Sequence, residues 1–292
     1  MRQVKYFYGF LITFLFISFG CATKQVSTFP SQKQGENGQK LELPSVNLGE
    51  RVIQHAGFSL VFNDEKRIAK WIAYSLTPSK SKSKLVERKN DFHPDPSIES
   101  SPTPNDYNHS GYDRGHLVPA EDMRWSAESL HDSFLMTNMA PQKAHLNRGI
   151  WKQLESKVRK WSLEYEHLYI AAGPILTEEC LQKLVKSICV PKRFFKVVLA
   201  IKGSDMKTAG FIIPQNYKSN TLNYYSHTVR EVESITGIDF FAALPIQTAY
   251  NVETVSELRE ISGNRNLATK KENTKRSTAT NYLHKQKKIT RK

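Results

Sequence analysis

Cysteine is scarce in this chain, with three in 292 residues, so a fold stapled by several disulfides is excluded. Acidic residues are also few: 28 Asp and Glu stand against 42 Lys and Arg, for a net charge of +14. A balance this basic points to a polyanionic partner such as nucleic acid, an acidic glycan or an anionic membrane. No apolar run reaches the ~20 residues that cross a bilayer as a helix. No internal repeat is visible. Hydrophobic residues make up 39%, with 15 Phe, 12 Tyr and 4 Trp, enough for a packed core.

The chain divides into four parts. In residues 1–20, Arg2 and Lys5 precede an apolar run from Tyr6 to Phe19. That pattern predicts an export signal. Ser18-Phe19-Gly20-Cys21 resembles a loose bacterial lipoprotein box, with Ser in place of the usual Leu. The expectation is lipidation of Cys21, giving a membrane-anchored protein facing the periplasm or the cell exterior. The alternative is an ordinary secretory signal cut near Ala22. Residues 21–50 are rich in Ser, Thr, Gln, Lys, Gly and Asn and read as a flexible tether. Residues 51–263 carry recurring apolar runs and form the expected globular domain. Residues 264–292 hold ten basic residues and one acid, and read as a basic, disordered tail.

Within the domain, Val52–Phe62, Ile68–Tyr74, Leu168–Gly173, Phe194–Ile201 and Ala209–Ile213 have strand character, and Val229–Ile235 reads as a helix. Strands with interspersed helices, lacking strict βαβ alternation, predict an α+β fold. Cys180 and Cys189 would close a small disulfide loop in an exported protein; two reduced, buried thiols are the alternative.

The chemistry concentrates between Tyr112 and Arg159. Ile150, Leu154, Val158, Trp161 and Tyr165 repeat at helical spacing. Asn147, Trp151, Glu155 and Arg159, each four apart, form a slowly winding stripe beside them. Alone, that stripe fits an Asn helix cap and a Glu155–Arg159 surface pair. The upstream Asp113-Arg114-Gly115-His116 changes the weighing. A Gly between Arg and His permits close approach of another group and could aim His116 into a groove. The Asn147 amide oxygen suits a hard ion such as Mg²⁺, and His116 suits a general base.

Residues 111–159 resemble the DNA/RNA non-specific endonuclease family. The resemblance rests on Asp113–His116, on Thr137-Asn138-Met139-Ala140-Pro141-Gln142, on Asn147, and on Trp151 with Leu154-Glu155. Weaker similarity covers most of 51–262. It implies the ββα-metal (His-Me finger) fold, with a mixed, mostly antiparallel sheet flanked by helices. It implies His116 as general base and Asn147 as sole direct protein ligand of one Mg²⁺-type ion, with Mn²⁺ or another divalent cation as substitutes. Glu155 becomes the carboxylate that orients the ion's water. Asn138 becomes an amide supporting the substrate site, and Arg114 and Arg159 become arginines near phosphate. Arg88 is the choice for the upstream arginine steadying the transition state, with Lys84 and Lys89 nearby as competitors. The implied reaction is sequence-non-specific hydrolysis of DNA and RNA, held by the phosphate backbone and leaving 5′-phosphate ends. Two rivals remain: a surface phosphodiesterase for small nucleotides, and a non-catalytic polyanion-binding lipoprotein. The proline-bearing loop Asn90–Ser110 is expected to alter substrate access.

Overall fold

The computed structural model describes residues 40–256. The signal segment, Cys21, most of the tether and the basic tail lie outside the described residues.

Eleven strands and six α-helices follow in chain order. They are β1 (Val52–Gln54), β2 (Ser59–Asn63), β3 (Ile68–Leu76), α1 (Pro78–Lys82), β4 (Asp113–His116), α2 (Ala127–Asp132), β5 (Met139–Gln142) and α3 (Ala144–Leu146). A π-turn over Asn147–Trp151, kinked at Gly149 where φ is −101° and ψ −114°, leads into α4 (Lys152–Glu164). Then come β6 (His167–Pro174), β7 (Gln182–Lys183), β8 (Cys189–Val190), β9 (Arg193–Lys202), β10 (Asp205–Pro214), β11 (Ser226–His227), α5 (Val229–Thr236) and α6 (Ile246–Glu253).

Seven strands form the main sheet in the order β1-β2-β3-β6-β9-β10-β11, every pair antiparallel. Its central strands read as continuous apolar runs because both faces are covered. On one face Ile72, Tyr74, Phe194, Val198 and Ala200 pack with Leu154, Val158 and Trp161 of α4. On the other, Trp71, Ala73, Phe195, Val197 and Leu199 pack with Val229 and Val232 of α5 and with Phe240 and Phe241. The period-two alternation therefore assigns residues 194–201 of β9 alternately to the two faces. Lys196 falls on the α4 face, fully buried.

The structure departs from the sequence reading in three places. The run Val52–Phe62 is a hairpin of two strands. The tether expected over 21–50 has become packed chain by Leu41, which is buried in the α5-side core with Leu43 against it. The loop 90–110 is a pinned strap. Asp95 is buried within it and accepts hydrogen bonds from Thr137 Oγ1 at 2.7 Å and Ser97 Oγ at 2.6 Å, with His55 Nε2 at 2.9 Å. Arg67 donates to the carbonyls of Ser100 and Ser101. Cys180 and Cys189 are joined in a disulfide, with Cα atoms 5.5 Å apart.

Candidate active site

β4 and β5 form a separate antiparallel hairpin, with Asp113 opposite Gln142 and His116 opposite Met139. The segment α3–π-turn–α4 follows it and docks on β4 by side-chain hydrogen bonds. Trp151 Nε1 donates to the His116 carbonyl at 3.2 Å, and Asn147 Nδ2 donates to Asp113 Oδ2 at 2.9 Å. Asp113 also accepts two bonds from Arg148, at 2.8 and 2.9 Å. Gly115 is needed for close approach: a Cβ there would collide with the buried Gln142 side chain.

Strand, strap and helix enclose one open cleft of about 890 Å³, lined by Arg88, Arg114, His116, Asn147, Glu155 and Arg159. Lys84 and Lys89 do not line it. Among the chosen site residues in the domain, Asn138 and the two cysteines also lie away from it.

His116 sits between two aromatic walls, 5.6 Å from the Phe92 ring and 5.2 Å from Phe134, which meets it edge-on. Burial, with the Arg88 charge adding, pushes its pKa down to about 3. The imidazole is thus neutral at ordinary pH, as a base must be. Its Nε2 has no hydrogen-bond partner among the described residues.

Asn147 lies inside the helical run, with φ −57° and ψ −48°, and does not cap it. With Nδ2 committed to Asp113, the side-chain oxygen is the atom left for a cation. The π-turn contains Gly149, where a Cβ would press on the Tyr217 hydroxyl.

Glu155 is raised to about 7, chiefly by burial, opposed by Lys196 and reinforced by Asp122. Arg159 does not pair with Glu155. It donates to the fully buried Asp122 at 2.6 Å, and Asp122 also accepts from Tyr74 at 3.0 Å. Lys196 donates to the Leu117 carbonyl at 3.2 Å and lies 5.1 Å over the Trp151 ring. Burial lowers its pKa, against the pull of Glu155 and Asp122. So Arg159 and Lys196 set a positive field beneath Glu155. Sequence reasoning gave no role to Asp113, Asp122 or Lys196. A lysine in the apolar run Phe194–Ile201 was the available signal.

At the rim, Arg114 donates to the Pro104 carbonyl at 2.7 Å and to Asn108 at 2.8 Å, and stacks 5.3 Å over Phe92. Arg88 stacks 5.6 Å over Phe134 and donates to Asn90 at 3.2 Å.

Asn138 must be corrected as a substrate-binding residue. It is 0% exposed. Its oxygen accepts from Val118 N, and its amide donates to the carbonyls of Val118 and Ser133. It clamps the chain just beyond His116. Asn138→Ala strands those buried backbone groups, at about 3 kcal/mol. The expected result is a lower melting temperature with KM unchanged per folded molecule; a raised KM at unchanged stability would return Asn138 to the substrate.

The family model described as DNA/RNA non-specific endonuclease matches residues 38–247. Mitochondrial endonuclease G of Bos taurus is 30% identical over 200 residues, covering 63% of this chain and 67% of that protein. A nuclease of a Nostoc strain is 32% identical over 211 residues, covering 68% and 75%. Among solved structures, a chain of the EndoG/EndoGI complex superposes with a TM-score of 0.64 at 26% identity, covering 70% of this chain and 89% of that one. The β4–β5 hairpin followed by the docked helix is the ββα arrangement of that fold.

Proposed function

This chain belongs to the DNA/RNA non-specific endonuclease family, and from that membership we propose that it hydrolyses DNA and RNA phosphodiester bonds with one Mg²⁺-type ion, leaving 5′-phosphate and 3′-hydroxyl ends. As a member it is a nuclease. The metal, the ends and the residue roles are the finer reading. The observation that carries it is the convergence of a neutral, aromatic-walled His116, an oriented Asn147 oxygen and a half-buried Glu155 on one arginine-rimmed cleft.

The donor set fits a hard dication. Asn147 offers an oxygen held by Asp113, and Glu155 supplies carboxylate charge in the same cleft. When bound, the ion supplies Lewis-acid charge to the phosphate and the leaving oxygen. His116 takes the proton of the attacking water. Arg88 and Arg114 meet the phosphate oxygens, and Arg159 holds Glu155 in a positive field without leaving Asp122. The nucleic-acid backbone has a track beyond the cleft: Lys152, Lys157 and Lys160 follow Arg148 along the exposed side of α4. Contacts of that kind read phosphate and carry little sequence information. The test is digestion of plasmid DNA and of RNA with and without EDTA. Cutting in Mg²⁺ and none in EDTA supports the reading; cutting in EDTA, or cutting of small diesters alone, overturns it.

Glu155 gives the reaction a pH dependence. Its carboxyl is protonated below about 7 and charged above it, so wild-type kcat/KM should rise as pH passes through that value. Glu155→Gln should be slow and flat over the same range. The stability effect has the opposite sign. A carboxyl raised from 4.5 in the folded state holds its proton more tightly there than in the unfolded chain. It therefore costs stability progressively as pH rises from about 4.5 to about 7. A Gln variant with the wild-type rate limb would remove Glu155 from the chemistry.

The proposal extends to location: an exported enzyme anchored through lipidated Cys21, supported by the basic-apolar start of the sequence and the Cys180–Cys189 disulfide. Metabolic labelling with a fatty acid should mark the wild type and not Cys21→Ser; an unlabelled wild type would leave simple secretion.

A further inference from the structure

A second cluster of ligand-type side chains lies behind the cleft wall. Asp91, His93 and His131 offer donor atoms that all fall within 4.8 Å of one another. Asp91 and His93 belong to the strap, and His131 lies in the last turn of α2. None of the three lines the cleft.

His93 is the informative member. Its backbone is fixed on both sides, with N–H donating to the Phe134 carbonyl at 3.3 Å and its carbonyl accepting from Met136 N at 2.8 Å. Its Nδ1 lies 2.7 Å from the Asp91 backbone carbonyl. A carbonyl oxygen can only accept, so Nδ1 must carry the proton and Nε2 must present a bare lone pair. That Nε2 is buried and has no hydrogen-bond partner among the described residues. An unmet buried acceptor is costly, and a cation relieves the cost. An imidazole backed by a carbonyl at one nitrogen and free at the other is the way metal-binding histidines are oriented. The His131 ring stacks 4.2 Å from that of His93, and its Nδ1 lies 3.6 Å from Asp132 Oδ1. Both imidazoles therefore have an oxygen on the δ side.

We propose that Asp91, His93 and His131 form a binding site for a borderline transition-metal dication, zinc above all, distinct from the ion held by Asn147. Two imidazoles and one carboxylate suit zinc and its neighbours in the series; magnesium prefers oxygen alone. Zinc ligands sit at about 2.0–2.1 Å, so the donors must draw inward. The exposed side chains of Asp91 and His131 can rotate to do so. Three protein donors leave one position for water or an anion.

The site's place in the fold gives it a consequence. Phe92, next to His93, forms one wall of His116 and carries Arg114. Phe134, whose carbonyl fixes His93, forms the other wall and carries Arg88. A metal here ties the strap to α2 and stiffens both walls. It positions the base and both rim arginines without touching substrate.

The test uses the full chain, stripped with EDTA and returned to saturating Mg²⁺. Zinc is titrated by calorimetry, and cobalt by visible absorption. One zinc per chain is expected, with cobalt giving the d–d bands of a histidine-bearing site. His131→Ala and Asp91→Asn change exposed side chains, so both should melt like wild type without zinc. Each should weaken zinc binding by at least about tenfold. Asn147→Ala should bind zinc as wild type does, which separates this site from the nuclease centre whatever that centre proves to do. No zinc bound in excess Mg²⁺, wild-type affinity in both site variants, or loss in Asn147→Ala would each overturn the proposal.

Discussion

Turnover of His116→Ala should fall at least about 10²-fold, the low end of what a positioned general base contributes. The imidazole is held for one task. It sits between Phe92 and Phe134, its backbone carbonyl is tied to Trp151, and burial keeps it uncharged. A neutral ring at that position contributes little Coulomb attraction to DNA. Affinity for uncleaved DNA should therefore stay within a few-fold, because Arg88, Arg114 and the lysines of α4 remain. Single-turnover rates and equilibrium binding, measured together, make the check. Equal losses in both would mean that the substitution collapsed the aromatic walls, and an unchanged rate would remove His116 from the reaction.

Asn147→Ala is expected to cost about as much, by a different route. It deletes the oxygen proposed for the ion, whose Lewis-acid role is worth several kcal/mol, or roughly 10²-fold in rate or more. It also frees Asp113 from one of its donors. The signature is a Mg²⁺ titration shifted to higher concentration, with partial recovery of rate at the top. Helix capping cannot account for a loss, since Asn147 has helical dihedrals and α3 begins at Ala144. A variant that melts earlier but cuts normally per folded molecule would show that the Asn147–Asp113 bond is only structural.

The sheet and the cleft were legible to different depths. β3, β6, β9, β10 and α5 fall almost where apolar runs and their Gly and Pro ends put them, because runs that long need a two-sided core. The hairpin inside Val52–Phe62 was hidden, since its turn is marked only by His55, Ala56 and Gly57. His116, Asn147, Glu155, Arg114 and Arg88 came from one motif-dense stretch and its upstream flank, and the cleft gathers them. What could not be read was pairing across distance. Arg159 has a partner in Asp122, 37 positions upstream, in place of Glu155 one turn away. Lys196 reaches the site through the register of β9, 79 positions after Leu117. Asn138 belongs to the motif, yet its burial is a property of the packed hairpin and left no mark in local spacing.

The π-turn has a consequence for what kind of change this segment tolerates. In an uninterrupted α-helix each residue turns about 100°, so side chains eight apart, such as Asn147 and Glu155, would point about 80° away from each other. The backbone kinks at Gly149, with φ −101° and ψ −114°, so the residues before and after it do not keep the phase of one regular helix. The kink at Gly149 acts as an azimuth correction, a phase shift between Asn147 and α4. A substitution at 147, 148, 150 or 151 leaves that phase in place, whereas at Gly149, with ψ −114°, a Cβ would press on Tyr217. Deleting Gly149 would remove the kinked residue and shift Asn147 by about 100° in phase relative to α4, off Asp113 and out of the cleft, with every side chain named in the chemistry still present in the sequence.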